Sequence, residues 1–174
     1  MGWAAEYGLA RVLRAGLLAL VGAIAVAVEA APLGLSAAAL PSPDLLFCVV
    51  AHWALRAPSA TPVLLVYAIG LGRDLLTDLP VGLGALALVL AAEAMKARAG
   101  SLARQPFLAE WLWVGAVAAG MTAAQWLVVA LSLAQPPYAS LLAQQYAATV
   151  LVYPAVSVVL RWVLRVRDRP RENG

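Results

Sequence analysis

Residues 12–31 read Val-Leu-Arg-Ala-Gly-Leu-Leu-Ala-Leu-Val-Gly-Ala-Ile-Ala-Val-Ala-Val-Glu-Ala-Ala, and within them only Arg14 and Glu29 carry charge. A helix of this length rises about 30 Å, the thickness of a bilayer's hydrocarbon core. The stretch ends at Pro32 and is too long for a signal-peptide core, so it is expected to stay in the membrane as a span. The rest of the chain has the same character. Of 174 residues 64% are apolar and 12% charged, with mean hydropathy +0.87. Soluble domains run about 45–50% apolar and about 25% charged. Disordered chains are apolar-poor, which excludes that class too. The single Cys48 and single His52 exclude a disulfide framework and a zinc site built from several Cys or His ligands.

The expectation is therefore an all-α fold: a polytopic membrane helix bundle with six transmembrane segments. They are placed at about 12–31, 44–57, 62–79, 81–96, 107–133 and 141–164, in one integral membrane domain over 1–174. Residues 165–174 form a basic tail. Within the second segment the apolar run Asp44–Leu55 gives only about 18 Å of helix, short of a full crossing. Pro58 and Pro62 punctuate the next connection, and Pro80, Val81 and Gly82 make a tight turn between segments three and four. Lys96–Gln105 reads as the longest charged internal loop, Pro106 opens segment five, and Gln135-Pro136-Pro137 breaks it.

Charge placement orients the bundle. With the N-terminus in the cytoplasm, that side holds Arg11, Arg14, Arg56, Lys96, Arg98, Arg104, Arg161, Arg165, Arg167, Arg169 and Arg171, eleven of the twelve basic residues. Only Arg73 falls on the outer side. This is the asymmetry of the positive-inside rule, and it favours six spans with both termini cytoplasmic over five. The terminal arginines are a topology determinant facing anionic lipid, and their run is too short to argue for nucleic-acid binding.

Helices in lipid associate through close packing and hydrogen bonds. Ala15, Ala19, Ala23 and Ala27 recur every fourth position in the first segment, and Ala116, Gly120 and Ala124 do so in the fifth. Both stripes are possible packing faces, within the chain or toward a partner. Ionisable groups inside spans are costly and mark candidate sites. The densest group is Arg73, Asp74 and Asp78. Two carboxylates four positions apart share a helical face and could bind a cation or relay protons. Near a helix end, the plainer reading has Arg73 neutralising one while the other caps the Pro-Gly turn. Asp44 reads as an N-cap, His52 as a hydrogen-bonded packing residue, and Glu29 and Glu93 as carboxylates reaching headgroup water. Gln125 reads as a hydrogen-bonding residue between helices, and the tryptophans mostly as an interfacial belt. No nucleophile-elbow, zinc-protease or phosphate-loop pattern occurs, so no catalytic residue, cofactor or metal site is expected.

One block carries a resemblance. Pro43-Asp-Leu-Leu-Phe-Cys-Val-Val-Ala-His-Trp53-Ala-Leu-Arg-Ala-Pro58 is followed by Tyr67-Ala-Ile-Gly70-Leu-Gly-Arg-Asp74-Leu-Leu-Thr-Asp-Leu-Pro80-Val-Gly82-Leu-Gly-Ala-Leu86. Together they resemble the rod shape-determining protein MreD family, densely over residues 41–86 and by hydropathy elsewhere. The matching positions are Pro43, Asp44, Trp53, Pro58, Gly70, Arg73, Asp74, Asp78, Pro80 and Gly82. Val81 stands where Leu is usual, and Gly84 where many members carry His or another polar residue. The resemblance implies a non-enzymatic membrane scaffold of the bacterial cell-elongation machinery, in the inner membrane. It would bind MreC and support cell shape and peptidoglycan synthesis, in a wider assembly with MreB, RodA and a class-B penicillin-binding protein. It also implies a fold similar to the substrate-binding subunits of energy-coupling-factor transporters. The rival expectation is a substrate-binding membrane subunit of a vitamin-type uptake transporter, with Asp44, Asp74, Asp78 and His52 facing a cavity.

Overall fold

A computed structural model describes the backbone of residues 2–31, 42–76, 81–131 and 138–165, and side chains within 8–31, 42–76, 81–131 and 138–162. Asp78, Pro80, the Gln135-Pro136-Pro137 break and the tail beyond 165 lie outside the described residues. Among those described there are six α-helices and no strand: α1 Gly2–Ala30, α2 Leu45–Arg56, α3 Val63–Asp74, α4 Leu83–Leu102, α5 Phe107–Leu131 and α6 Ala139–Arg165. A 3-10 turn, Pro58–Ala60, joins α2 to α3. Among the described residues three stretches, Gly8–Ala30, Phe107–Leu131 and Ala139–Trp162, are long and apolar enough to cross a membrane. Helices α2 and α3 have 12 residues each and rise about 18 Å. Helix α4 has 20 residues but carries Glu93, Lys96 and Arg98.

The short helix α2 is the centre of the fold. Every residue from Leu46 to Leu55 is buried, against α1, α4, α6 and the 3-10 turn. Apart from His52 and the terminal Arg56 its sequence is apolar all round, as suits a helix without a solvent face. Its start is set by Asp44, whose carboxylate accepts from Phe47 N at 2.7 Å, and its end by Ala57 N bonding back to Trp53 O at 2.7 Å before Pro58. Lipid is as apolar as leucine, so burial in a membrane holds such a helix weakly. Tight packing and the polar contacts at its two ends do more.

Helices α3 and α4 form the tightest pair in the bundle. At Gly70 a Cβ would stand 2.8 Å from the Cα of Ala85, so only glycine allows this approach. The turn between them places Gly82 at φ +93°, in the left-handed region. Asp74 at the end of α3 then reaches forward: its Oδ2 accepts from Gly82 N at 3.0 Å and Ala85 N at 2.9 Å, capping α4.

Helix α6 contains Pro154, which has no N–H to give the carbonyl of Val150. That carbonyl accepts instead from the indole Nε1 of Trp111 at 2.9 Å, which ties α5 to α6 at the gap the proline opens.

Two expectations change here. The charged stretch from Lys96 is not a loop, because α4 continues to Leu102. Lys96 pairs with Glu93 at 2.7 Å and the guanidinium of Arg98 lies 4.1 Å from the Trp113 ring centre, so both cations are accommodated on the helix surface. Helix α3 closes at Asp74, short of the expected span end at 79, with a turn at Leu75 and Leu76; residues 77–80 lie outside the described residues. Of the small-residue stripe on α1, Ala15 and Ala19 are half-buried and Ala23 and Ala27 exposed, while Leu18, Gly22, Ala25 and Val26 are the buried positions of that helix.

Candidate functional site

Helix α2 joins two polar layers. At its N-terminus four elements converge. Asp44 uses both carboxylate oxygens, one on Phe47 N and the other on Arg73 Nη1 at 2.8 Å, with both side chains largely buried. Its backbone N–H donates to Thr149 Oγ1 at 2.9 Å, and Thr149 in turn donates to Gln145 O at 2.8 Å. Glu29, at the end of α1, accepts from Leu46 N at 2.8 Å. The free N–H groups of α2's first turn are thus met by two carboxylates, a stabilising match of anions to a helix N-terminus. Glu29 is a cap for another helix. Arg73 pairs with Asp44, 29 positions away, and Asp74 caps α4.

Beside this layer lies a cavity of about 410 Å³, lined by Glu29, Asp44 and Arg73 together with Thr122, Gln125 and Gln145. Trp126 forms part of its wall. Gln125 therefore faces this space between helices. Gly84 is fixed by the same layer: a Cβ there would overlap Oδ1 of Asp74 and lie 3.0 Å from its Cγ and 3.1 Å from Arg73 Nη2. A His or polar side chain would not fit without moving the capping carboxylate.

At the C-terminus of α2 stands a second layer that sequence reading did not assemble. Glu110, 4% exposed in the first turn of α5, accepts from Arg56 Nη2 and from Tyr153 Oη at 2.8 Å. Arg161 Nη2 lies 3.6 Å from the same carboxylate oxygen, and its guanidinium sits 5.3 Å from the Phe107 ring centre. Asp44 to Arg56 and Thr149 to Arg161 each span twelve positions, so α2 and α6 run parallel with the layers about 18 Å apart.

Trp53 and His52 are fully buried, and neither the ring nitrogens of His52 nor Nε1 of Trp53 has a hydrogen-bond partner. His52 is a packing residue without the expected hydrogen bond. Pro58 opens the 3-10 turn. In α5, Val114, Gly115 and Ala118 are buried while Ala116, Gly120 and Ala124 are exposed; Gly120 and Ala124 line an apolar groove of about 370 Å³ against α4. Among the described residues no three His, Cys, Asp or Glu side chains gather as a metal site would require.

Of the eight basic residues with described side chains, Arg73 alone is in the layer at the start of α2; helix rise places the other seven toward the opposite half of the bundle. No family model, curated protein or solved structure matches the chain.

Proposed function

We propose that this chain is a non-enzymatic scaffold of the MreD type in the bacterial inner membrane, holding MreC and, through it, the wall-synthesis assembly of MreB, RodA and a class-B penicillin-binding protein. The observation that carries the reading is the work done by the polar residues of the 41–86 block. Asp44, Arg73 and Asp74 each join helices to one another, and Gly70 and Gly84 let backbones or side chains approach. That is the use a scaffold makes of such groups, since it must hold its shape while presenting surfaces. The Ala23–Ala27 and Ala116–Gly120–Ala124 faces are left outward, where a neighbouring helix can pack closely.

The same reading has all six helices inserted with both termini cytoplasmic. Seven basic residues at one end of the bundle support this orientation. With that end at the cytoplasmic interface, the Glu29–Asp44–Arg73 layer lies about 18 Å along a core about 30 Å thick, below the outer surface. Helices α5 and α6 continue past it to complete the crossing. The test is co-purification: a tagged MreC expressed with this chain recovers it from detergent extract in stoichiometric amount. Failure to recover the pair, with both present in the membrane, contradicts the proposal.

The cavity at Glu29, Asp44 and Arg73 favours one second reading, a substrate-binding membrane subunit of a vitamin-type uptake transporter. Native mass spectrometry separates the two, since a transporter subunit carries a bound vitamin-sized mass and a scaffold does not.

A further inference from the structure

The layer at the C-terminus of α2 has more positive charge than it uses. Arg56 and Arg161 share the single carboxylate of Glu110, which already accepts from Tyr153. Among the described residues one cationic charge is left over. A guanidinium carries five N–H donors in a fixed fork, and contact with one carboxylate oxygen leaves most of them unspent. Their side chains are 36% and 43% exposed, while Glu110 is 5% exposed, so the carboxylate is inside and the cations form the rim. Arg161 is held there by the Phe107 ring as well as by Glu110. Helix α5 begins at the same place, and its first N–H groups add partial positive charge. Around the rim stand Phe107, Leu108 and Trp162, at 38%, 58% and 73% exposure, which offer apolar flanks to acyl chains.

We propose that the junction of α2, α5 and α6 at Arg56 and Arg161 is a seat for the phosphate headgroup of an anionic phospholipid. Arginine forks match phosphate oxygens in pairs, and basic recesses between membrane helices bind anionic headgroups. A zwitterionic headgroup brings its own ammonium to a rim that is already cationic and is disfavoured. The proposal depends only on the chain lying in a bilayer, not on its partner, so it can fail while the scaffold reading stands, and the reverse.

The test uses the full chain reconstituted in vesicles of equal phosphatidylglycerol and phosphatidylcholine, then released from mild detergent for native mass spectrometry of retained lipid. Phosphatidylglycerol is expected in excess. Arg161→Gln lowers that excess about fivefold, the contribution of one interfacial arginine, while Lys96→Gln, which removes an equal charge on α4, leaves it unchanged. Molar salt abolishes the preference in the unaltered chain, a readout independent of any variant's folding. Equal retention of the two lipids, an excess that survives Arg161→Gln or molar salt, or equal losses in the two variants would overturn the proposal. So would displacement of the lipid by millimolar inorganic phosphate, which would assign the seat to a soluble anion.

Discussion

Replacing Gly84 by alanine tests whether the Asp74 cap is as tightly built as the structure indicates. The new Cβ overlaps Oδ1 of Asp74 and comes within 3.1 Å of Arg73 Nη2. Two responses are open. If Asp74 swings away, it abandons Gly82 N and Ala85 N, two bonds to a charged acceptor worth about 1.5–3 kcal/mol each. If it stays, the helix end must shift, at the roughly 1–3 kcal/mol typical of overpacking. The cheaper response decides, and alanine's better helix propensity returns up to about 1 kcal/mol. A net loss of about 1–2 kcal/mol follows, a fall of about 2–8 °C in unfolding midpoint for a chain of this size. Cys48 supplies the assay: it is the only cysteine and fully buried, so a thiol-reactive fluorophore labels it on unfolding. Gly100→Ala is the control, because a Cβ there meets nothing within 4 Å, and it should raise the midpoint slightly. The opposite signs of the same substitution at two positions of α4 are the signature. A Gly84→Ala midpoint equal to or above that of Gly100→Ala would refute the reasoning.

Asp44→Ala removes both the α2 cap and one carboxylate partner of Arg73, and should cost about 3 kcal/mol as a broken buried pair; Asp44→Asn keeps an acceptor for Phe47 N and recovers about 1 kcal/mol. Identical labelling midpoints for the two variants would contradict this division. Trp111→Phe strips the donor from the Val150 carbonyl, about 1–3 kcal/mol, but less in a Pro154→Ala background, where residue 154 regains an N–H for that carbonyl. A double-mutant cycle should show coupling of about 1 kcal/mol, and additive losses would show the indole bond to be incidental. His52→Leu should raise the midpoint, because it removes buried ring nitrogens that lack a partner. A lowered midpoint would mean that His52 holds a polar partner.

How far the sequence carried depends on the range of the interaction. Helix α2 was legible, since Asp44 at its start and Arg56 and Pro58 at its end are local signals. The cap by Asp74 was foreseeable from the Pro-Gly turn beside it. The end of α4 was misread because Lys96 and Arg98 look like loop, whereas Glu93 and the Trp113 ring hold them on a helix. Pairings across long separations were invisible: Glu29 with Leu46, Arg73 with Asp44, and above all Arg56 and Arg161 with Glu110. The one available hint for the last was a lone acid in the first turn of an otherwise apolar helix. The small-residue stripe on α1 was visible, but periodicity alone cannot say whether a face turns to its own bundle or to lipid.

The central claim is that this chain holds together part of the machinery that elongates rod-shaped cells. Controlled depletion of the protein in the cells that make it, followed by imaging of cell width over several generations, tests that most directly. The account predicts that rods widen and round while growth on minimal medium needs no added vitamin. Cells that keep their width, or that stop dividing until a vitamin is supplied, would contradict it.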